Sequence, residues 1–259
     1  MIKVGVAGAT GRMGQLLIEQ ILKDPRFELV AATASSDNPL LGTVVAHNVF
    51  LHSNPEELFT KGQVVIDFTT PDLLDEYLDL AVRHKKALVV CTTGLSAGQK
   101  ERLLKTSKEV PVLYASNTSM GIALMRDLTA QIAKILGPEF DIEIDEIHHR
   151  HKVDAPSGTS LSLGEAAAKG RGVLLDDVAC YVRQGQMGPR PKGQIGFSVR
   201  RGGGWVCDHT VSFLGEEESL EITHKGTSRS LYAKGAVAAA HWLYDKKPGL
   251  YSIEDVLGL

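Results

Sequence analysis

Between Glu146 and Thr159 the chain gathers three imidazoles (His148, His149, His151), two permanent cations (Arg150, Lys152), two carboxylates (Glu146, Asp154) and the turn Ser157-Gly158-Thr159. Like charges held this close repel unless something negative sits among them. The run therefore points to acid–base chemistry on an anion. Upstream, Phe140, Ile142 and Ile144 alternate with Asp141, Glu143 and Asp145, the pattern of a half-buried strand. In a strand, i and i+2 share a face, so Glu146 and His148 are expected to continue the buried face. There the carboxylate should orient the imidazole and favour its protonated form. Ala155-Pro156 ends the regular pattern. Ser160 to Lys169 has helical composition, with Ser157 or Thr159 as the expected N-cap. A helix start offers amide donors and a positive dipole end that can hold a carboxylate. One segment thus supplies an acid, a cation and an anion cradle. A solvated basic loop and a zinc site built on His148, His149 and His151 are the competing readings. Strand neighbours His148 and His149 point opposite ways and no His-x-x-x-His spacing occurs, so no metal is expected.

Such a site needs a frame and a cofactor. Ile2 to Ala7 is an apolar run suited to a buried parallel strand. Gly8, Gly11 and Gly14 follow, then apolar residues at helical spacing from Leu16 to Leu22. Strand, glycine turn and helix together form a dinucleotide-binding turn, here Gly-x-x-Gly-x-x-Gly rather than the commoner Gly-x-Gly-x-x-Gly. Leu29 to Ala32 is the second strand. It is followed by Thr33-Ala34-Ser35-Ser36, with no acid to bind a ribose 2′-hydroxyl and no adjacent Arg. NADPH should be accepted, with weak discrimination against NADH. Strands at Val64–Phe68, Ala87–Cys91 and Val112–Ala115 alternate with helices at Asp72–His84 and Ala97–Lys108, which predicts a doubly wound parallel sheet. Thr69, Thr92, Thr93 and Asn117 fall at its carboxyl edge, where ligands bind, and are expected to hydrogen-bond the nicotinamide ribose or carboxamide.

After a helix at Met120–Leu136 the alternation breaks. Strands are expected at Phe140 onward, Val178–Arg183, Ile195–Arg201, His209–Phe213 and Ser219–His224. Gln184 to Gly193 must be a loop, serving as a lid or a subunit arm. Arg200-Arg201 with Gly202 to Gly204 could add a cation to an anion site, but an exposed hairpin turn is the favoured expectation. The Ala-rich helix Ser230–Tyr244 should return to the first domain. The fold class is α/β: a Rossmann-like doubly wound parallel sheet plus a smaller α+β domain with a mixed sheet. Residues 1–118 and 230–259 form the dinucleotide-binding domain and 119–229 the substrate-binding and oligomerisation domain.

The 259 residues suit one large domain or two ordinary ones, and the net charge of −3 argues against a nucleic-acid partner. Cys91, Cys180 and Cys207 are odd in number and widely spaced, which suggests a reducing cytosol. The first residues enter a strand directly, so no leader is expected. No apolar run reaches the roughly 18 residues of a membrane span.

The segment Glu146–Thr159 resembles the signature of the dihydrodipicolinate reductase family. The resemblance extends over nearly the whole chain, through Val6–Gly14, Asp67–Thr69, Thr92–Gly94, Asn117 and His224–Arg229. It implies hydride transfer from NADPH or NADH to a small unsaturated cyclic dicarboxylate in lysine (diaminopimelate) biosynthesis, then protonation of the resulting enamine. By position His148 resembles the acid/base group and Lys152 the second proton donor, while His149, Ser157, Gly158 and Thr159 resemble the substrate-binding positions. Gly8, Ala9, Thr10, Gly11, Arg12, Met13, Ser35, Phe68, Thr69, Cys91, Thr92, Thr93, Ala115, Ser116, Asn117 and Thr118 resemble the cofactor contacts. At Ala34-Ser35 many members carry an acid followed by Arg. The family also implies a cytoplasmic homotetramer built through the second domain. Two other classes fit parts of the pattern. A redox-sensing binding protein would leave the His–Lys cluster without a task, and a semialdehyde dehydrogenase would require Cys91 as nucleophile.

Overall fold

The computed structural model describes residues 1–259. In chain order the elements are β1 (Ile2–Ala7), α1 (Arg12–Lys23), β2 (Phe27–Thr33), β3 (Val44–Ala46), β4 (Val49–His52), α2 (Glu56–Lys61), β5 (Val64–Asp67), α3 (Leu74–His84), β6 (Ala87–Val90), α4 (Ala97–Thr106), β7 (Pro111–Tyr114), α5 (Met120–Leu136), β8 (Asp141–His148), α6 (Gly158–Arg171), α7 (Leu175–Val178), β9 (Ala179–Cys180), β10 (Ile195–Arg201), β11 (Cys207–Leu214), β12 (Ser219–Gly226), α8 (Ser230–Leu243), β13 (Gly249–Tyr251) and α9 (Ile253–Leu257). They divide into two compact units, Met1–Met120 with Arg229–Leu259, and Gly121–Ser228.

The first unit holds an eight-stranded sheet in the order β13-β7-β6-β5-β1-β2-β4-β3. Every pairing is parallel except β3 with β4. β5 and β6 are buried along their whole length, as parallel strands covered on both faces must be. The turn between β1 and α1 depends on glycine. Gly8 has φ +73°, and a Cβ on Gly14 would stand 2.1 Å from the Gly8 carbonyl oxygen and 2.7 Å from the Ala9 Cα. Only a bare backbone lets α1 start this close to β1. Helix α8 packs on α1, β5 and β6. Its Ala-rich face permits close approach, and a Cβ at Gly235 would lie 1.7 Å from the Thr118 carbonyl oxygen.

The second unit is a mixed sheet in the order β12-β11-β8-β10-β9. β8 runs parallel to β10 and antiparallel to β11. Burial alternates residue by residue along β8, so Ile142 and Ile144 enter a core with Leu163, Ile195, Phe197, Val211 and Phe213. The same alternation carries Glu146 and His148 onto that buried face.

Two stretches differ from expectation. Val178–Arg183 forms only the two-residue strand β9 after the short helix α7. Beyond Cys180 the ladder with β10 has ended, and Arg183 turns to the Glu143 carboxylate at 2.7 and 2.8 Å. The elements β3, β4, α2, β13 and α9 were too short to leave a periodic signal. The 184–193 loop is pinned to β8 by Arg190, which donates to Asp141 at 2.6 Å and to Glu143 and the Ile142 carbonyl at 3.1 and 3.0 Å.

Gly235→Ala should lower stability by roughly 1–3 kcal/mol through overpacking. Gly98→Ala in α4, where a Cβ meets open space, should be neutral or gain up to about 1 kcal/mol. Urea denaturation of both variants beside the wild type checks the contrast.

Candidate active site

Glu146 and His148 are 1% and 7% exposed. A carboxylate so placed needs partners, and it has them. Arg201 on β10 donates to Glu146 Oε1 at 2.7 Å, and Ser160 donates its hydroxyl to Oε2 at 2.7 Å. The Ser157 amide donates to both oxygens at 3.2 Å. His209 Nε2 and His148 Nδ1 lie 3.6 and 3.5 Å from Oε2. Burial alone would raise the Glu146 carboxyl, but hydrogen bonds from His209, Ser157, Ser160 and Arg201 hold it well below the usual carboxylate range.

Ser157 is the N-cap of α6, accepting from the Ser160 amide at 3.1 Å. Glu146 therefore takes the cap residue's own amide, while Gly158 and Thr159 open the first turn. The Ala155–Pro156 bond is cis. Lys152 donates to both oxygens of Asp154, at 2.7 and 3.0 Å. The Asp154 side chain is 52% exposed. An exposed pair of this kind is worth about 0–1 kcal/mol, so Lys152 can exchange it for another carboxylate at little cost. The His149 and His151 rings lie 6.2 Å apart.

Two sequence expectations change here, and one residue is added. Glu146 does not make His148 a protonated imidazole near neutrality. Burial pushes the ring down to about 4, and His209, Lys152 and Arg201 add to that against the pull of Glu146. Arg201 is not an exposed turn residue, since it bridges Glu146 and the Asp154 carbonyl, each at 2.7 Å. His209, unremarked in the sequence, packs edge-on against His148 with ring centroids 5.1 Å apart. His209 is 52 residues from Ser157, its hydroxyl partner, so no local motif announces it.

In the first unit one pocket is lined by Arg12, Met13, Phe68, Thr69, Cys91, Thr92, Thr93, Ala115, Ser116, Asn117 and Thr118, with Arg229 and Tyr232 added by α8 and the residue before it. A second contains Ala9 and Thr10 with Leu40, Val44 and Leu51, a lining suited to an adenine ring. Gly8 and Gly11 form the loop that carries these residues. Thr69 and Thr92 both donate their hydroxyls to buried Asp67, at 2.6 and 2.8 Å. They can accept from a ligand, but their protons are engaged. The Asn117 side-chain oxygen accepts from the Ser119 amide at 2.9 Å. Ser35 borders neither pocket, and its hydroxyl serves the exposed Asp37 carboxylate, which it helps hold below its ordinary value. An acid thus stands just past the place where sequence spacing offered none. Cys91 is 3% exposed. Burial and neighbouring Asp67 raise its thiol well above the ordinary range, which disqualifies it as a nucleophile near neutral pH.

The family model "Dihydrodipicolinate reductase, N-terminus" matches residues 2–118, and "Dihydrodipicolinate reductase, C-terminus" matches residues 121–257. A 4-hydroxy-tetrahydrodipicolinate reductase of Sulfurovum sp. is 48% identical over 259 residues, covering 100% of both chains. That of Magnetococcus marinus is 43% identical over 264 residues, covering 99% of this chain and 98% of its own. A solved dihydrodipicolinate reductase from Paenisporosarcina sp. TG-14, with dipicolinate bound, shares the fold at TM-score 0.81 and 24% identity, over 98% of this chain and 99% of that one.

The depressed His148 value fixes a sign. The unfolded chain takes up this proton first, so stability should fall as pH drops from about 6.5 to about 4. His148→Gln should lose less stability than the wild type across that window. Urea titrations at its two ends measure the difference, and equal losses would mean that His148 titrates alike in both states.

Proposed function

The chain belongs to the dihydrodipicolinate reductase family, and on that premise we propose how its residues carry out the NAD(P)H-dependent reduction of 4-hydroxy-tetrahydrodipicolinate, which first loses its 4-hydroxyl as water to give dihydrodipicolinate, to tetrahydrodipicolinate in lysine biosynthesis. The observation that carries the assignment is the buried Glu146–Arg201–Ser157–His148 cluster at the start of α6.

The glycine turn, closed to any Cβ at Gly14, fits a pyrophosphate held by the first amides of α1. The pocket at the carboxyl edge of β1, β5, β6 and β7 fits the nicotinamide end. When bound there, the cofactor supplies the hydride. Arg12 is the nearby cation for its phosphates. With Asp37 beside Ser35 and no basic neighbour, this chain has little means of choosing NADPH strongly over NADH.

Substrate carboxylates are received by Lys152, by His149, and by the Ser157 hydroxyl with the Gly158 and Thr159 amides. Lys152 leaves Asp154 to do so. His148 gives the proton that completes reduction, and Lys152 is the second donor. For His148 to act near pH 7 its value must rise by roughly 3 units, about 4 kcal/mol. A single carboxylate about 4 Å away contributes about that much at an effective dielectric near 20. A dianionic substrate therefore loads the acid that will protonate it. Cytoplasmic residence and a homotetramer belong to the same proposal. In support of assembly, β12 is a sheet edge that presents Leu220 at 44% exposure.

NADPH and NADH should both be oxidised when the condensation product of pyruvate and aspartate semialdehyde is supplied, and absence of oxidation with either refutes the activity. His148→Gln should lower kcat about 10²–10⁴-fold with cofactor affinity unchanged by fluorescence titration. Lys152→Ala should also raise the substrate KM. Unaltered turnover in His148→Gln would remove His148 from the mechanism.

A further inference from the structure

The second sheet carries a cluster that the reduction does not use. Cys207 and His209 leave β11 on one face, and His224 lies opposite His209 on β12. One ligand atom from each, the Cys207 Sγ and a ring nitrogen of each histidine, lies within 4.8 Å of the other two. Cys207 and His209 are each 2% exposed. Zinc takes sulfur at about 2.3 Å and nitrogen at about 2.0–2.1 Å in tetrahedral sites. An inward shift of roughly 1 Å would bring the three atoms to those distances. One thiolate and two imidazoles on rigid strands suit zinc, with a fourth position left for water.

The two nitrogens of His209 are already distinguished. Nε2 faces the Ser157 hydroxyl at 3.2 Å and Glu146 at 3.6 Å. Nδ1 is buried with no hydrogen-bond partner, an arrangement that costs stability unless something takes the lone pair or the proton. A metal on Nδ1 fixes the hydrogen on Nε2, aimed at the Glu146 carboxylate. That is the carboxylate–histidine–zinc relay by which outer partners orient metal-bound imidazoles. We propose that Cys207, His209 and His224 bind Zn²⁺, with loss of the Cys207 thiol proton, and that occupancy slows the reductase. The coupling runs through His209, which packs against His148 and shares its carboxylate. This second half rests on the role given to His148, whereas metal binding stands without it.

The test uses the full-length, reduced, chelator-stripped protein with no substrate or cofactor. Titration with Co²⁺ should saturate at one ion per chain, with a thiolate-to-cobalt charge-transfer band that Zn²⁺ displaces. Cys207→Ser should abolish the band, and His224→Gln should weaken binding at least tenfold, both with wild-type circular dichroism. If Cys207→Ser does not fold, His224→Gln carries the test, because His224 is the more exposed ligand. No band in the wild type overturns the site. So does binding that survives in His224→Gln but disappears in His148→Gln, which would put the ion on Glu146, His148 and His209. Zn²⁺ should inhibit the wild type and spare Cys207→Ser. Binding without inhibition overturns the coupling alone.

Discussion

The second unit is organised around one buried negative charge. Glu146 joins β8 to β10 through Arg201, to β11 through His209, and to the start of α6 through the Ser157 amide and the Ser160 hydroxyl. Breaking such a pair by removing one partner is far more costly than never having had it, because the survivor stays buried and uncompensated. The network therefore acts less as a source of net stability than as a specification. Only one register of β10 against β8 brings Arg201 level with His148, and only one placement of the 155–158 turn delivers the cap amide to the carboxylate. His148 on β8 and the cap of α6 are positioned by the same carboxylate.

The first unit has its own buried carboxylate, and the contrast is instructive. Asp67 is wholly buried and receives the Thr69 amide and the hydroxyls of Thr69 and Thr92. Burial raises its value, and those bonds only moderate the rise. Glu146 is held the other way because a guanidinium and an imidazole join its neutral donors. Neutral donors at Asp67 thus organise two strand ends without a charged partner.

Much of this was legible in the sequence because it is local. The strict alternation from Phe140 to His148 gave the face of Glu146 and His148, and the glycine spacing gave the turn between β1 and α1. Ser157 as cap follows from its place before a helical stretch. What stayed hidden depends on pairing at long separation. Arg201 meets Glu146 across 55 residues, and its neighbours Gly202, Gly203 and Gly204 read as a solvated turn. His209 sits on a strand whose position relative to β8 no local pattern reveals. The sign of the His148 shift depends on the fold for the same reason. Glu146 is two residues away and visible, whereas burial, His209 and Arg201 arrive only with the folded sheet.

That sign bears on how the site can exist before substrate arrives. With His148 neutral, the cluster sets the cations Arg150, Lys152 and Arg201 against the carboxylates Glu146 and Asp154. The excess is one charge, which a folded domain tolerates. A protonated His148 would double that excess before any anion arrived. Under the proposed assignment the positive charge is deferred rather than stored. A dicarboxylate draws Lys152 from Asp154 and raises His148, so recognition of the anion and loading of the acid become one event. A monoanion that lacked the carboxylate beside His148 would still draw Lys152 but would leave the imidazole unprotonated when bound. Selectivity for two carboxylates would then appear in the protonation step as well as in binding, which is where an enzyme gains most from it.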